Sequence, residues 1–249
     1  FHPYKVIPTP AGASLAIRRD KHDDVKAETV LFFGPYVNKP YEETMAVYVE
    51  RKPAAATKIH HFYVTVTGEP LAPASVDAFV LPGVGNFGEA MRRIRAQGLA
   101  GAIRELVDAG RPLLGICLGM QLLFDESEES PGVSGLGLLS GSVRRLRTER
   151  KLPHIGWSAV TWRPGPLAPA GDGAPGAGST YYFVHTYGCE PSDPDTVLAT
   201  ADHGVRFTAA AGRGEVTGVQ FHPEKSSAAG MELLGRWLAV VDQRNEARA

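Results

Sequence analysis

Short apolar runs alternate with stretches of helical spacing through the first half of the chain. Runs of apolar and aromatic residues predict strands at 30–33, 62–66, 78–81 and 112–116. Apolar residues that recur every three or four positions predict helices at 41–51, 89–109 and 118–124. Because strands that alternate with helices build βαβ units, this half predicts an α/β fold, with a mainly parallel open sheet flanked by helices.

The second half of the chain is richer in strand patterns. It predicts additional strands at 143–146, 158–162, 181–184 and 216–221, and one last helix at 228–240. Between them, the segment 164–179 is rich in proline, glycine and alanine, which predicts a flexible surface loop. No internal repeat or domain boundary is visible, so the pattern indicates one domain.

Composition narrows the class of protein. The 249 residues are 43% hydrophobic and 21% charged, with a net charge of −1, which is ordinary for a soluble globular protein and favours neither nucleic acid nor an anionic membrane. No apolar run approaches the roughly 20 residues that span a bilayer. The first residues lack the apolar core of a secretory signal, and two cysteines do not make a disulfide scaffold. A cytoplasmic protein is therefore expected.

A glycine-flanked cysteine lies where a predicted strand meets a predicted helix. Residues 115–119 read Gly-Ile-Cys-Leu-Gly, the cysteine form of the strand–turn–helix nucleophile elbow. The glycines allow a tight turn that exposes Cys117, and the positive end of the following helix favours its thiolate. The backbone N–H of Leu118 would point to where an oxyanion forms. Taken alone, the segment fits a buried structural cysteine equally well.

A histidine and a glutamate follow the strand predicted at 216–221. His222 stands at the carboxyl end of that strand, where ligands bind in open α/β sheets, and could exchange protons with a thiol and a leaving group. Glu224 could orient the imidazole and stabilise its cation. Alone, the pair is more simply a solvated ion pair at a capped strand end. Together with an elbow cysteine, it predicts a Cys-His-Glu triad.

A glycine-rich loop follows the strand predicted at 78–81. Residues 82–88 read Pro-Gly-Val-Gly-Asn-Phe-Gly, a density of glycine that lets backbone N–H groups turn toward a substrate. The loop lacks the Lys-Ser/Thr of a P-loop. By itself it is a tight turn, but beside an acyl-forming cysteine it would supply a second oxyanion donor.

These motifs together resemble a known family. Residues 114–123 and 221–226 resemble the triad-type, or class I, glutamine amidotransferases. Residues 82–88, 153–157 and 182–187 are similar to the corresponding strings in the glutaminase subunits of imidazole glycerol phosphate synthases, enzymes of histidine biosynthesis. The resemblance runs from about residue 63 to about residue 238. The five motifs are specific as an ordered set, although none is specific alone.

The resemblance implies a reaction at Cys117. The thiolate attacks the side-chain amide of glutamine, ammonia leaves, and water hydrolyses the γ-glutamyl thioester with help from His222 and Glu224. Gly85 and Leu118 match the oxyanion-hole region. The residues that match substrate-binding positions are Gln121, Glu129, His185, Thr186 and Tyr187.

The resemblance also implies a partner. Ammonia would pass into a (β/α)8-barrel cyclase subunit of a heterodimer, which closes the imidazole ring of imidazole glycerol phosphate and releases an aminoimidazole carboxamide ribotide. Trp157 and Lys225 match positions near that interface, although by residue type alone they fit a core aromatic and a surface charge. No cofactor, metal ion, nucleic acid or membrane is expected.

The N-terminal part departs from the family pattern. The family opens with a strand and an Asp-Tyr-Gly-x-Gly-Asn turn, and no such string occurs here. The segment from 30 onward could supply strand, loop and helix in the same places, with Asn38 in place of the asparagine of the turn. Residues 1–29 would then form an arm of unknown role, and 30–249 the amidotransferase domain. Alternatively, this segment is foreign sequence that replaces the first strand poorly.

Three other functions stay open from the sequence. The chain could serve another class I amidotransferase, for anthranilate, carbamoyl phosphate or pyridoxal phosphate synthesis. It could be a free-standing cysteine hydrolase of γ-glutamyl peptides, which would turn over without a partner. It could also be a catalytically impaired relative that only binds a partner.

Overall fold

The computed structural model describes residues 30–32, 43–50, 58–65, 78–169 and 179–247. Its strands are β1 (Val30–Phe32), β2 (Glu43–Glu50), β3 (Lys58–Thr65), β4 (Ala78–Gly83), β5 (Leu113–Cys117), β6 (Glu126–Ser127), β7 (Gly141–Arg145), β8 (His154–Trp162), β9 (Thr180–His185), β10 (Tyr187–Pro191), β11 (Val197–Asp202), β12 (Arg206–Arg213) and β13 (Val216–Val219). Its helices are α1 (Phe87–Ala96), α2 (Leu99–Asp108), α3 (Leu118–Leu122) and α4 (Ser227–Glu246). None of these helices is long and apolar enough to cross a membrane.

One mixed sheet organises the fold. Its main path runs β1-β4-β5-β13-β12-β10-β7-β6, and β11 connects β12 to β8, which pairs with β9. The strands β1, β4, β5 and β13 pair in parallel. From β13 through β12 and β10 to β7 the pairing is antiparallel. The α/β class predicted from the sequence is confirmed, with the parallel pairing concentrated where the cysteine motif lies.

The central strands are apolar because both of their faces are covered. Every residue of β4 and β5 is buried, which explains why these strands read as continuous apolar runs instead of alternating ones. Helices α1 and α2 bury one face each, with Phe87, Met91 and Ile94 in α1 and Ile103 and Leu106 in α2. The spacing of these residues puts them on a single side of each helix.

A single glycine divides the helix predicted at 89–109. Gly98 has a φ of 70°, in the left-handed region, and it separates α1 from α2. An L side chain is unfavourable in this conformation, so glycine is the residue that suits the break. The second glycine of the predicted helix, Gly101, lies inside α2 without breaking it.

The prediction of a helix at 41–51 is wrong. The segment forms strand β2, which pairs antiparallel with β3 from Glu43 opposite Thr65 to Glu50 opposite Lys58. The sequence of β2, ETMAVYVE, contains Thr, Val and Tyr, residues that favour strands, and the cross-strand partner overrides the helical spacing. The strand predicted at 30–33 is present as β1. Asn38 and the arm at 1–29 lie outside the described residues, so the division into arm and domain stays a prediction.

Four strands in the C-terminal half were not predicted: the two-residue strand β6, and β10, β11 and β12. The strands β11 and β12 are rich in alanine, and β10 contains a glycine and a proline; the weak preference of these residues for strands hides the pairing in the sequence. Their hydrogen-bonded neighbours in the sheet decide their conformation. In the loop predicted at 164–179, residues 170–178 lie outside the described part of the chain.

Close packing of α3 on β4 makes Gly119 a sensitive position. A Cβ atom at Gly119 would lie 1.7 Å from the carbonyl oxygen of Leu81, whereas a Cβ at Gly101 in α2 would meet nothing within 4 Å. We expect Gly119→Ala to lower the free energy of unfolding in urea by roughly 2 kcal/mol or more. The matched control Gly101→Ala should raise it by roughly 0.5–1 kcal/mol. Equal stability of the two variants would contradict the close packing.

Candidate active site

Cys117 lies in a strained turn between a strand and a helix. Cys117 ends β5 and precedes α3 with a φ of 55° and a ψ of −111°, a conformation that non-glycine residues rarely adopt. Side chains at the flanking glycines would collide with backbone, since a Cβ at Gly115 would lie 2.8 Å from the carbonyl oxygen of Gly119. The two glycines therefore allow α3 to fold back against β5 and hold the cysteine at the tip of the turn. Cys117 is only 5% exposed, so the prediction that this turn exposes it is wrong.

The parallel neighbour of β5 brings the histidine and the glutamate to this turn. Val219 of β13 pairs with Ile116 of β5, so the chain leaving β13 runs beside Cys117. Nδ1 of His222 lies 2.7 Å from Oε1 of Glu224, and the two side chains are only 5% and 4% exposed. Because a carboxylate can only accept, Nδ1 donates, and Nε2 is left to face the cysteine.

The imidazole of His222 is stabilised as a cation. Burial lowers its pKa, but the hydrogen bond with Cys117 and the one with Glu224 raise it more strongly, to about 9. A protonated imidazole beside a cysteine favours the thiolate, which is the nucleophilic form of the side chain. The three residues therefore have the order and the electrostatics of an activated cysteine site.

Backbone amides surround the same turn. Gly83 of β4 pairs with Cys117, and the loop beyond it turns through Gly85, which has a φ of 105°. Leu118 is the first residue of α3, so its N–H has no acceptor within the helix. Leu118 directly follows Cys117, and Gly85 lies two residues after Gly83, the partner of Cys117 in β4. Both predicted oxyanion-hole residues are therefore close to the cysteine turn.

The end of β9 and the start of β10 form a wall beside the cysteine. Sγ of Cys117 lies 3.8 Å from the carbonyl oxygen of Val184. Nε2 of Gln121 donates to the carbonyl oxygen of Tyr187 at 2.9 Å, and Nδ1 of His185 donates to the same oxygen at 2.9 Å. Three of the predicted substrate-binding residues therefore meet at one carbonyl group.

The chain is similar to known proteins over most of its length. The model of the family described as glutamine amidotransferase class-I matches residues 56–239. The chain belongs to this family. It is 48% identical to the imidazole glycerol phosphate synthase subunit HisH of Moorella thermoacetica over 72% of this chain and 83% of that protein. It is also 48% identical to the HisH of Cutibacterium acnes over 70% of this chain and 83% of that protein.

A solved structure supports the fold of this amidotransferase. A glutamine amidotransferase crystal structure superposes with a TM-score of 0.50 and 22% identity, over 65% of this chain and 79% of that chain. The mixed sheet with flanking helices is therefore the fold of the family.

Glu129 and Thr186 have backbone partners in this class-I amidotransferase. Oε2 of Glu129 accepts from the backbone N–H of Phe87 at 2.7 Å, at the first residue of α1. The adjacent Ser130 accepts from the N–H of Gly88 at 3.0 Å, and Asn86 caps the same helix. Glu129 therefore holds the helix that follows the Gly85 loop. The carbonyl oxygen of Thr186 accepts from the backbone N–H of Leu146 at 3.1 Å, and Thr186 is half-buried.

A pair of neutral histidines lies behind the wall. Burial lowers the pKa of His185 to about 3 and that of His154 to about 4. Nδ1 of His185 must donate to the carbonyl group of Tyr187, so its Nε2 accepts from Nδ1 of His154, 3.3 Å away. Nε2 of His154 then accepts from the hydroxyl group of Ser158 at 2.9 Å. His154 was predicted only as part of the 153–157 motif, without a role. The described residues contain no cluster suited to a metal ion.

An exposed apolar surface borders the cysteine. Val84, Ile155 and Trp157 are 39%, 60% and 51% exposed, and they are the large hydrophobic residues that the described part of the chain leaves exposed. Ile155 pairs with Val184, whose carbonyl oxygen contacts Cys117, and Val84 follows Gly83. Trp157 is therefore not a core aromatic. Lys225 is exposed in the 3-10 turn after His222.

Proposed function

We propose that the chain is the glutaminase subunit of an imidazole glycerol phosphate synthase in histidine biosynthesis. It hydrolyses glutamine to glutamate and ammonia and passes the ammonia to a (β/α)8-barrel cyclase subunit. The single observation that carries the chemistry is the strained Cys117 turn beside the buried His222–Glu224 pair, whose 2.7 Å hydrogen bond fixes the imidazole. Relatives at 48% identity that are named as HisH subunits support the narrower assignment, and we expect a cytoplasmic enzyme.

The first half of the reaction makes the thioester. The thiolate of Cys117 attacks the side-chain carbonyl carbon of glutamine, and the N–H groups of Leu118 and of the Gly85 loop stabilise the oxyanion. The imidazolium of His222 donates its Nε2 proton to the amide nitrogen, so the C–N bond breaks and ammonia leaves. The neutral imidazole stays oriented by Glu224.

The second half regenerates the enzyme. Nε2 of His222 accepts a proton from water as the water attacks the γ-glutamyl thioester. The same oxyanion donors stabilise the second tetrahedral intermediate, and its collapse breaks the C–S bond to release glutamate and the thiolate. No cofactor or metal ion is required by this sequence of steps.

The wall beside Cys117, together with Gln121 and Glu129, supplies groups for the amino-acid end of glutamine. An α-ammonium group needs acceptors, and the carboxylate of Glu129 and the side-chain oxygen of Gln121 offer them. An α-carboxylate needs donors, and the backbone N–H groups of the segment 185–187 suit it. Gln121, His185 and Tyr187 share one carbonyl group, which supports a common role in shaping this subsite.

The apolar surface around the site supports a protein partner. Val84 and Ile155 are exposed next to the Gly83–Cys117 and Val184–Cys117 contacts, and the exposed Trp157 lies two residues after Ile155 on β8. An exposed apolar patch of this kind is typical of a protein interface, with Lys225 as a charged neighbour. A barrel subunit seated there would receive ammonia without loss to solvent.

The test is glutamate release from glutamine by the full chain, alone and with a purified cyclase barrel subunit bound to its nucleotide ligand. We expect little release alone and stimulation of at least about tenfold by the liganded barrel, since a coupling of this size is usual between two sites. Equal activity with and without the barrel would instead support a free-standing hydrolase. Stimulation by the synthase subunit of another class I amidotransferase would identify that pathway, and folded but silent protein would support an interaction-only relative.

A further inference from the structure

The buried amide of Gln220 connects the cysteine to the wall of the site. Gln220 follows β13 directly, is 0% exposed, and donates its backbone N–H to the carbonyl oxygen of Ala209. Its side chain reaches two partners that are distant in sequence. Oε1 accepts from Nε2 of Gln121 at 3.1 Å, and Nε2 lies 3.8 Å from Sγ of Cys117.

The orientation of this amide follows from its neighbours. The carbonyl oxygen of Tyr187 can only accept, so the atom of Gln121 that lies 2.9 Å from it is the nitrogen. That nitrogen has two hydrogens, and its second hydrogen goes to Gln220, whose contacting atom must therefore be the oxygen. The –NH2 group of Gln220 is left to face the sulfur.

We propose that Gln220 is a positioning residue for the nucleophile: its Nε2–H donates to Sγ of Cys117, stabilises the thiolate, and holds it in the geometry of attack. This inference rests on the proposed function, in which Cys117 is the nucleophile. A hydrogen bond to an ionised acceptor is stronger than one to a neutral acceptor, and a buried site strengthens it further. Gln220 thus gives Sγ of Cys117 a second hydrogen-bond donor, in addition to the imidazole of His222.

The same contacts refine the role of Gln121. Both hydrogens of its amide are used within the protein, one on Tyr187 and one on Gln220. Its Oε1 is then the atom available to accept from a substrate ammonium group. Gln121 therefore links substrate binding to the orientation of Gln220, and through Gln220 to the sulfur.

The test is the pH dependence of Cys117 alkylation by iodoacetamide in the full chain, with Gln220→Met as the variant. Methionine keeps the length of the side chain and removes both the donor to Cys117 and the acceptor for Gln121, and the control Gln220→Glu restores that acceptor. We expect the midpoint of the alkylation profile to rise by about one pH unit, which is the effect of one hydrogen bond to a charged group. In the complex with the barrel subunit, the kcat for glutamine hydrolysis should fall about tenfold, while KM changes less than about twofold.

Three controls separate positioning from stability. Cys117→Ala measures any alkylation of Cys189. Thr208→Val removes a buried hydroxyl group from the adjacent strand β12 without touching Cys117, and its alkylation midpoint should equal that of the wild type. Gln220→Glu keeps the acceptor for Gln121 but sets an anionic oxygen against the sulfur, so its midpoint should rise at least as far as that of Gln220→Met.

The outcomes distinguish this inference from the proposed function. A raised midpoint in a chain that does not hydrolyse glutamine would sustain the role of Gln220 and refute the glutaminase. Glutamine hydrolysis with an unchanged midpoint in Gln220→Met would overturn the role of Gln220 and leave the glutaminase standing. If Gln220→Met does not fold, an unchanged alkylation midpoint in Gln220→Glu would equally overturn the proposed role of Gln220.

Discussion

Replacing Cys117 by alanine should abolish glutamine-dependent synthesis by the complex, with a loss of at least about 10⁴-fold in kcat, because no thioester can form without the sulfur. Synthesis supplied with ammonium salts should continue at close to the wild-type rate, since the cyclase reaction needs ammonia and not its source. Both rates can be measured by product formation in the same complex.

Cys189 provides a matched control. It is a second buried cysteine, 2% exposed on β10, and burial raises the pKa of its thiol well above the usual range, so it is not a nucleophile at neutral pH. Cys189→Ala should keep glutamine-dependent activity within about twofold, apart from any loss of stability. Survival of glutaminase activity in Cys117→Ala would refute the assignment of the nucleophile. Loss of ammonia-dependent synthesis would show that Cys117 is needed for assembly.

Replacing Glu224 by glutamine should lower the kcat for glutamine hydrolysis by about 10³-fold at neutral pH, since a triad histidine without its carboxylate loses both orientation and charge stabilisation. The pKa of His222 is about 9 because Cys117 and Glu224 raise it against burial. Removing the charge of Glu224 lowers the pKa of His222. The alkaline limb of the pH–rate profile, where the imidazolium is lost, should therefore move to lower pH.

The same shift should be visible in stability. A raised folded-state pKa contributes stability that is complete below the unfolded value of 6.5 and disappears as the pH rises toward about 9. In Glu224→Gln the folded-state pKa of His222 is lower, so this contribution should be smaller and should be fully lost at a lower pH, which urea unfolding at several pH values can measure.

The structure favours glutamine over alanine for this experiment. Oε2 of Glu224 is buried without a hydrogen-bond partner among the described residues, whereas Oε1 accepts from His222. A glutamine can keep its oxygen on His222, so the charge is removed while the hydrogen bond survives. Glu232→Gln on α4, at a side chain that is 66% exposed, is the matched control and should leave the profile unchanged. An unshifted alkaline limb in Glu224→Gln would exclude Glu224 from the triad.

Elements whose conformation is decided locally could be predicted from the sequence. The runs that became β4 and β5 are fully buried, so their apolar character alone indicated strands. The cysteine turn could be predicted because Gly115 and Gly119 lie two residues before and after Cys117, and glycine is required where the helix packs on β4 and β5. By contrast, β2 was predicted as a helix, because its apolar spacing suits both structures until β3 pairs with it.

The sequence by itself determined the order of the chemical groups: a cysteine between glycines, then a histidine and a glutamate two residues apart after a strand. Within each of these two motifs the groups are near in the chain, so short-range geometry relates them, whereas Cys117 and His222 meet only because β13 pairs with β5. Only the tertiary structure decided that Glu129 caps α1 and that Trp157 is exposed. It also decided that Gln220 reaches Gln121 and Cys117, which are 99 and 103 residues away. Hydrogen bonds over such separations exist only after the sheet has brought β5, β13 and β9 together, and no local pattern encodes them.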